Sequence, residues 1–183
     1  MEHVCVMDQI ELSPVDSRDH TRGPADAPLT LIEYGDFQCP YCSAAHAAVA
    51  EIERRFAGRL RFVFRQFPLR QIHPHAEAAA EAAEAAGAQG RFWEMYDQLF
   101  AHSRALGEDK LGAYAQAAGV PDLDRFEHDL AERRYLPELD AAIERAESSG
   151  VEGTPAFFIN GQPFEDEPSV EALSAALEEA LQG

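Results

Sequence analysis

Two cysteines two residues apart, Cys39-Pro40-Tyr41-Cys42, stand between an apolar, β-branched run and an alanine-rich stretch. That placement constrains the fold more than any other feature of the chain. The run Leu29-Thr30-Leu31-Ile32-Glu33-Tyr34 follows a proline and reads as a strand. Residues 40–57 read as a helix, with Ala44, Ala47, Ala48, Ile52 and Phe56 on its apolar face and Gly58 as its C-cap. Leu60-Arg61-Phe62-Val63-Phe64-Arg65 alternates apolar and charged residues and reads as a second strand. A helix joining two strands implies a right-handed crossover and a parallel pair. The dithiol then sits at a strand end and a helix start. Unpaired backbone N–H groups and the positive end of the helix dipole favour a thiolate there, and the thiolate is the form that attacks disulfides.

The remainder extends this pattern. Segments 76–86, 91–101, 109–118, 122–131 and 136–147 read as helices, separated by glycines and prolines. Ala156-Phe157-Phe158-Ile159 resumes strand character, Asn160-Gly161 is a strong hairpin signal, and Gln162-Pro163-Phe164 returns as an edge strand, because proline is disfavoured in a central one. Pro168 to Leu181 forms a final helix with Val170, Leu173, Leu177 and Leu181 on one face. A lone hairpin is unstable, so two strands before the helical block and two after it share one sheet. The expected class is α/β: a thioredoxin fold (β-α-β … β-β-α) with an all-helical insertion between its halves. The corresponding division is an N-terminal arm over 1–28, a thioredoxin-like domain over 29–73 and 150–183, and the insertion over 74–149.

The formal net charge of −18 argues against nucleic acid, since phosphate binding needs clustered Lys and Arg. Three cysteines, Cys5, Cys39 and Cys42, are too few for a disulfide-stapled secreted scaffold. Met1 to Asp8 has no basic start followed by a long apolar stretch, so no export signal is read. The expected location is cytoplasmic; the alternative is an exported chain whose signal has been removed. No apolar run approaches the ~18 residues of a membrane span, so no membrane partner is expected.

The chain resembles the DsbA-like branch of the thioredoxin superfamily, bacterial thiol–disulfide oxidoreductases. The matching segments are Gly23 to Pro28, Glu33 to Cys42, Phe67-Pro68-Leu69 with Ile72-His73-Pro74, Arg91 to Tyr96, and Gly150 to Gly161. The resemblance implies an enzyme exchanging disulfides with protein thiols through the redox-active Cys39–Cys42 pair, with no other cofactor. Cys39 is the expected nucleophile and Cys42, one turn later and more buried, the resolving thiol; the reaction runs through a mixed disulfide. Pro40 suits the first helical position, and the Pro40-Tyr41 pair tunes the reduction potential in this family. Thr154-Pro155 matches the family's cis-proline loop, whose backbone pairs with an extended substrate. Glu33 falls where the family carries a buried carboxylate that moves protons to or from Cys42. Glutathione or a thioredoxin-type reductant is the implied electron partner.

Other readings compete at several positions. Cys39 and Cys42 are half of a zinc site if His46 and Cys5 complete it, though no second pair has the usual spacing. His46, one turn after Cys42, is on the same helix face or simply on the surface. His73-Pro74-His75 looks like a metal pair but reads better as a turn capping the next helix. Phe92, Trp93, Tyr96, Leu99 and Phe100 form a core stripe rather than a ligand groove. A glutathione-dependent transferase or isomerase of the same fold, and a non-catalytic binding module, are the alternative functions; the intact dithiol speaks against both.

Overall fold

In the computed structural model, which describes residues 12–183, five strands form one sheet in the order β1-β3-β2-β4-β5. They are β1 (His20–Arg22), β2 (Leu29–Gly35), β3 (Leu60–Gln66), β4 (Ala156–Ile159) and β5 (Gln162–Phe164). The β2–β3 pair is parallel, with Leu29 opposite Leu60 and Gly35 opposite Gln66. All other pairs are antiparallel.

Successive side chains on a strand point to opposite faces, and this alternation builds two cores. Leu29, Leu31, Leu60, Phe62, Phe64, Phe157 and Ile159 point to one face. There they meet α1 (Pro40–Arg55) and α7 (Val170–Gln182), whose Val49, Ile52, Leu173 and Leu177 are fully buried. Ile32, Tyr34, Val63 and Phe158 point to the other face and meet Ala146 of α6 (Leu136–Ser148) and Val151. Strand β2 is covered on both sides, which is why it reads as a nearly continuous apolar run.

Four more helices, α2 (Ala76–Gly87), α3 (Phe92–Ala101), α4 (Glu108–Ala117) and α5 (Leu123–Ala131), fill the stretch between β3 and α6. Helix α2 is buried on most of its circumference, and α3, α4, α5 and α6 all pack on it. Its run of alanines lets these helices approach closely. Asp122 caps α5 by accepting from the Arg125 N–H at 2.9 Å, and Ser169 caps α7 by accepting from the Ala172 N–H at 3.1 Å. The Asn160-Gly161 turn has positive φ at both residues, 48° and 83°, as a tight hairpin requires. Pro163 lies on the edge strand β5.

Two features differ from the sequence expectation. Strand β1 lies inside the stretch read as an arm. It is short and polar, and exists through pairing: His20, Thr21 and Arg22 lie opposite Phe64, Val63 and Phe62. The residues before it do lie over the domain. Leu12 and Val15 pack on the second core, and the Arg65 guanidinium holds the arm by donating to Asp19 at 2.8 Å and to the Ser13 carbonyl at 3.0 Å. The second difference is α6, which falls in the stretch read as insertion yet seals the second face of the sheet. Cys5 lies outside the described residues.

Candidate active site

The dithiol occupies the junction between β2 and α1. Cys39 is the N-cap of α1 in extended conformation (φ −68°, ψ 122°), Pro40 opens the helix, and no carboxylate occupies its first turn. The free N–H groups at that end are therefore left to the sulfur. Both cysteines are free thiols. The sequence reads Cys42 as the more buried thiol; the difference is small, with Cys39 2% and Cys42 0% exposed. Tyr41, between them, stands 74% exposed.

Thr154 and Pro155 approach from the loop before β4, and the peptide bond between them is cis. Cys39 Sγ lies 3.6 Å from the Thr154 carbonyl oxygen, to which it donates only when protonated. Pro155 and Tyr41 line a shallow groove with Ala44, Ala48 and Glu167. So two segments more than a hundred residues apart meet at one sulfur.

The two thiols are electrostatically unlike. Hydrogen bonding from the Cys42 thiol, then from the Thr154 side chain and the backbone N–H groups of Cys42 and Tyr41, holds Cys39 down at about 5 against the opposing effect of burial. Burial, with the bond to Cys39 and the charge of Glu33, pushes Cys42 far up. At neutral pH the pair is one thiolate and one thiol.

Glu33 alternates onto the α1 face of β2, opposite Phe64. It is fully buried, and neither carboxylate oxygen has a hydrogen-bond partner. Burial first, then the negative charges of Cys39 and Glu53, pushes its carboxyl up to about 8; Arg22 pulls the other way. Glycine at position 35 makes the room. A Cβ there would lie 2.4 Å from Phe64 Cε2 and 3.3 Å from Glu33 Oε1.

Asp36 was not singled out from the sequence. It is 1% exposed and knits the approach to the dithiol. Its carboxylate accepts from the Gln38 N–H at 2.7 Å and from the Leu69 N–H at 2.9 Å, and lies 2.7 Å from His73 Nδ1. Gln38 adds a bond from the His75 N–H to its Oε1 at 2.7 Å. The loop 67–75 is thereby clamped to the segment entering Cys39. The legible signal is local: an Asp accepting two residues ahead forms an Asx turn before a helix. His73 and His75 thus belong to a capping turn. His46 leans on α3, where it lies 3.2 Å from Asp97 and stacks on Phe100. The stripe Phe92, Tyr96, Leu99 and Phe100 is core. Among the described residues, no group of three or more His, Cys, Asp or Glu side chains is placed to hold a metal ion.

The family model described as Thioredoxin matches residues 16–179. The chain belongs to the thioredoxin family. Among solved structures, BdbD from Bacillus subtilis superposes on this thioredoxin-family chain with a TM-score of 0.86 at 19% identity, covering 96% of this chain and 100% of that one. A thioredoxin-like oxidoreductase from Silicibacter pomeroyi gives 0.78 at 26% identity, covering 92% and 95%. A periplasmic thioredoxin-like protein from Salmonella enterica serovar Typhimurium gives 0.74 at 20% identity, covering 92% of each. The resemblance to DsbA-like proteins holds at the level of the fold, a thioredoxin fold with a helical insertion. The cytoplasmic location is not: structural matches that include a periplasmic protein point to export. Among curated proteins, the Na(+)/H(+) antiporter NhaA 1 of Salinispora arenicola is 49% identical over 171 residues, 93% of this chain but 26% of that protein. The chain thus spans about a quarter of the length of the curated relatives it matches. No helix among the described residues is long and apolar enough to cross a membrane.

Proposed function

We propose that this chain is a thiol–disulfide oxidoreductase domain that passes the Cys39–Cys42 disulfide to protein thiols. The observation that carries the reading is the unequal pair: Cys39 held at about 5 beside a Cys42 that keeps its proton. Stabilising the thiolate stabilises the reduced pair, and a pair that prefers to be reduced is the better oxidant. A setting outside the cytoplasm favours the same direction.

The steps balance with the groups present. A substrate thiolate attacks the Cys39 sulfur of the disulfide, and the bond to Cys42 breaks. The departing Cys42 sulfur takes the proton held by the Glu33 carboxyl. A second substrate thiolate then attacks the substrate sulfur of the mixed disulfide, and Cys39 leaves as a thiolate. Two substrate thiols become one disulfide and the domain ends reduced. The Thr154 backbone beside cis-Pro155 pairs with the extended substrate, and Pro40 and Tyr41 set how well the Cys39 thiolate is held. Glutathione serves as the exchanging thiol in an equilibrium assay.

Oxidation of a reduced peptide dithiol by the disulfide form tests this. Cys39→Ser abolishes turnover, and Cys42→Ser accumulates a mixed disulfide at Cys39. Wild-type turnover by both variants would end the proposal.

A further inference from the structure

The groove beside the dithiol has a chemistry of its own. Its volume is about 370 Å³, room for one long side chain. Tyr41 and Ala44 of α1, cis-Pro155, and Glu167 and Pro168 from the loop before α7 line it. Tyr41, Ala44 and Glu167 are exposed and the two prolines half-buried, so the lining is open to an arriving chain. Of the described residues lining the groove, only Glu167 is charged. The Ser169 hydroxyl on the same loop already accepts from the Ala172 N–H. What the groove offers is therefore a carboxylate, an aromatic ring and small apolar surface. Segments 36–48 and 150–169, which bring these groups to the dithiol, contain no lysine or arginine. They do contain Glu152, Glu165 and Asp166, all exposed and close in sequence to Thr154 or Glu167. The field at the mouth of the site thus has the same sign as Glu167.

We propose that Glu167 is a specificity-determining residue, selecting substrate cysteines that are flanked by arginine or lysine. An extended substrate paired with the Thr154 backbone brings its cysteine to Cys39 and the neighbouring side chains to this groove. The stem of a basic side chain lies on Ala44 and Pro155. Its head meets the Glu167 carboxylate and the exposed face of the Tyr41 ring, and both favour a cation. Arginine is the better of the two, because its planar head stacks on a ring and donates to a carboxylate at once. An acidic side chain in the same place meets like charge. The selection rests on the oxidoreductase reading above, since it acts on the substrate of that reaction.

Rate constants for reduction of the disulfide form of the full chain by three dithiol peptides test this. The peptides differ only in the residues flanking each cysteine, which are arginine, citrulline or glutamate. Citrulline keeps the length of arginine without its charge. Each rate is divided by the same peptide's rate with the uncharged disulfide of mercaptoethanol, which removes the effect of the flanking charge on the thiol itself. The corrected rate should be about three- to tenfold higher for arginine than for citrulline, the scale of an exposed ion pair joined by a cation–π contact, and lowest for glutamate. Glu167→Gln should lower the arginine-to-citrulline ratio by about half or more, and Glu167→Lys should lower it further. Glu167 is exposed on a loop, so an unchanged unfolding midpoint is expected in both variants. Equal corrected rates for arginine and citrulline, or one ratio shared by wild type and both variants, overturns the selection and leaves thiol exchange standing. Failure of every peptide to reduce the disulfide ends the oxidoreductase reading and the selection with it.

Discussion

Replacing Glu33 by glutamine should make the protein more stable at alkaline pH and leave it nearly unchanged in acid. The folded carboxyl holds its proton to about 8, whereas 4.5 is ordinary for glutamic acid. Between those values the unfolded chain has released the proton and the folded chain has not. Proton binding is then greater in the folded state, so stability falls as pH rises through this window. The loss amounts to at most about 5 kcal/mol at pH 8 and above, at 1.36 kcal/mol per pH unit. That is a large share of the ~5–15 kcal/mol of a typical domain. Cys39 works in the opposite sense. Its folded thiol ionises at about 5 against 9.0, so its contribution to stability is present at high pH and is lost as pH falls through about 5. It is common to both proteins and largely cancels in their difference. Glutamine keeps the shape and removes the charge, so the two proteins should match near pH 4 and diverge steadily toward pH 8.5. Urea unfolding of the reduced proteins across that range reads the difference directly. The gap should narrow in the oxidised proteins, where the Cys39 thiolate that helps raise Glu33 is gone, but persist, because burial is the larger cause. Parallel stability curves for wild type and Glu33→Gln would refute the reasoning.

Other outcomes follow from the same geometry. In a Cys5→Ser background the ultraviolet thiolate absorbance of the reduced protein should titrate with a midpoint near 5, assigned to Cys39 by its loss in Cys39→Ser, while Cys42 keeps its proton to above about pH 9; absence of any step below about 8 contradicts the hydrogen bonds drawn to the Cys39 sulfur. Gly35→Ala places a methyl against the Phe64 ring and the Glu33 carboxyl and should cost about 1–3 kcal/mol in urea unfolding. Asp36→Ala leaves the Gln38 and Leu69 N–H groups without an acceptor. It should destabilise by about 1–3 kcal/mol or more and increase amide hydrogen exchange in 67–75 before the rest of the domain.

The reach of sequence reading follows the range of the interactions. Strands β2 and β3 were visible because alternation and β-branching are local, and the α2 alanines because helix propensity sums along the chain. Strand β1 was not, since three polar residues become a strand only when Phe62 to Phe64 lie alongside. The role of Asp36 was hidden for the same reason: two of its partners, Leu69 and His73, are more than thirty residues away. Glu33 was legible as an acid in an apolar strand. Its lack of any hydrogen-bond partner was not, because that depends on what Phe64 and α1 bring around it.

By itself the sequence determined that a reactive dithiol would stand at a strand-to-helix junction, since the strand run, Pro40 and the helix formers are neighbours in the chain. It also determined the helical insertion and the hairpin that completes the sheet. Tertiary structure decided what the dithiol is worth chemically. Only the folded chain carries Thr154 and cis-Pro155 to Cys39, buries Glu33 on the same sheet face, and seals the opposite face with α6. The difference between the two thiols comes from burial and from hydrogen bonds closed across the fold, quantities that no local stretch of sequence contains.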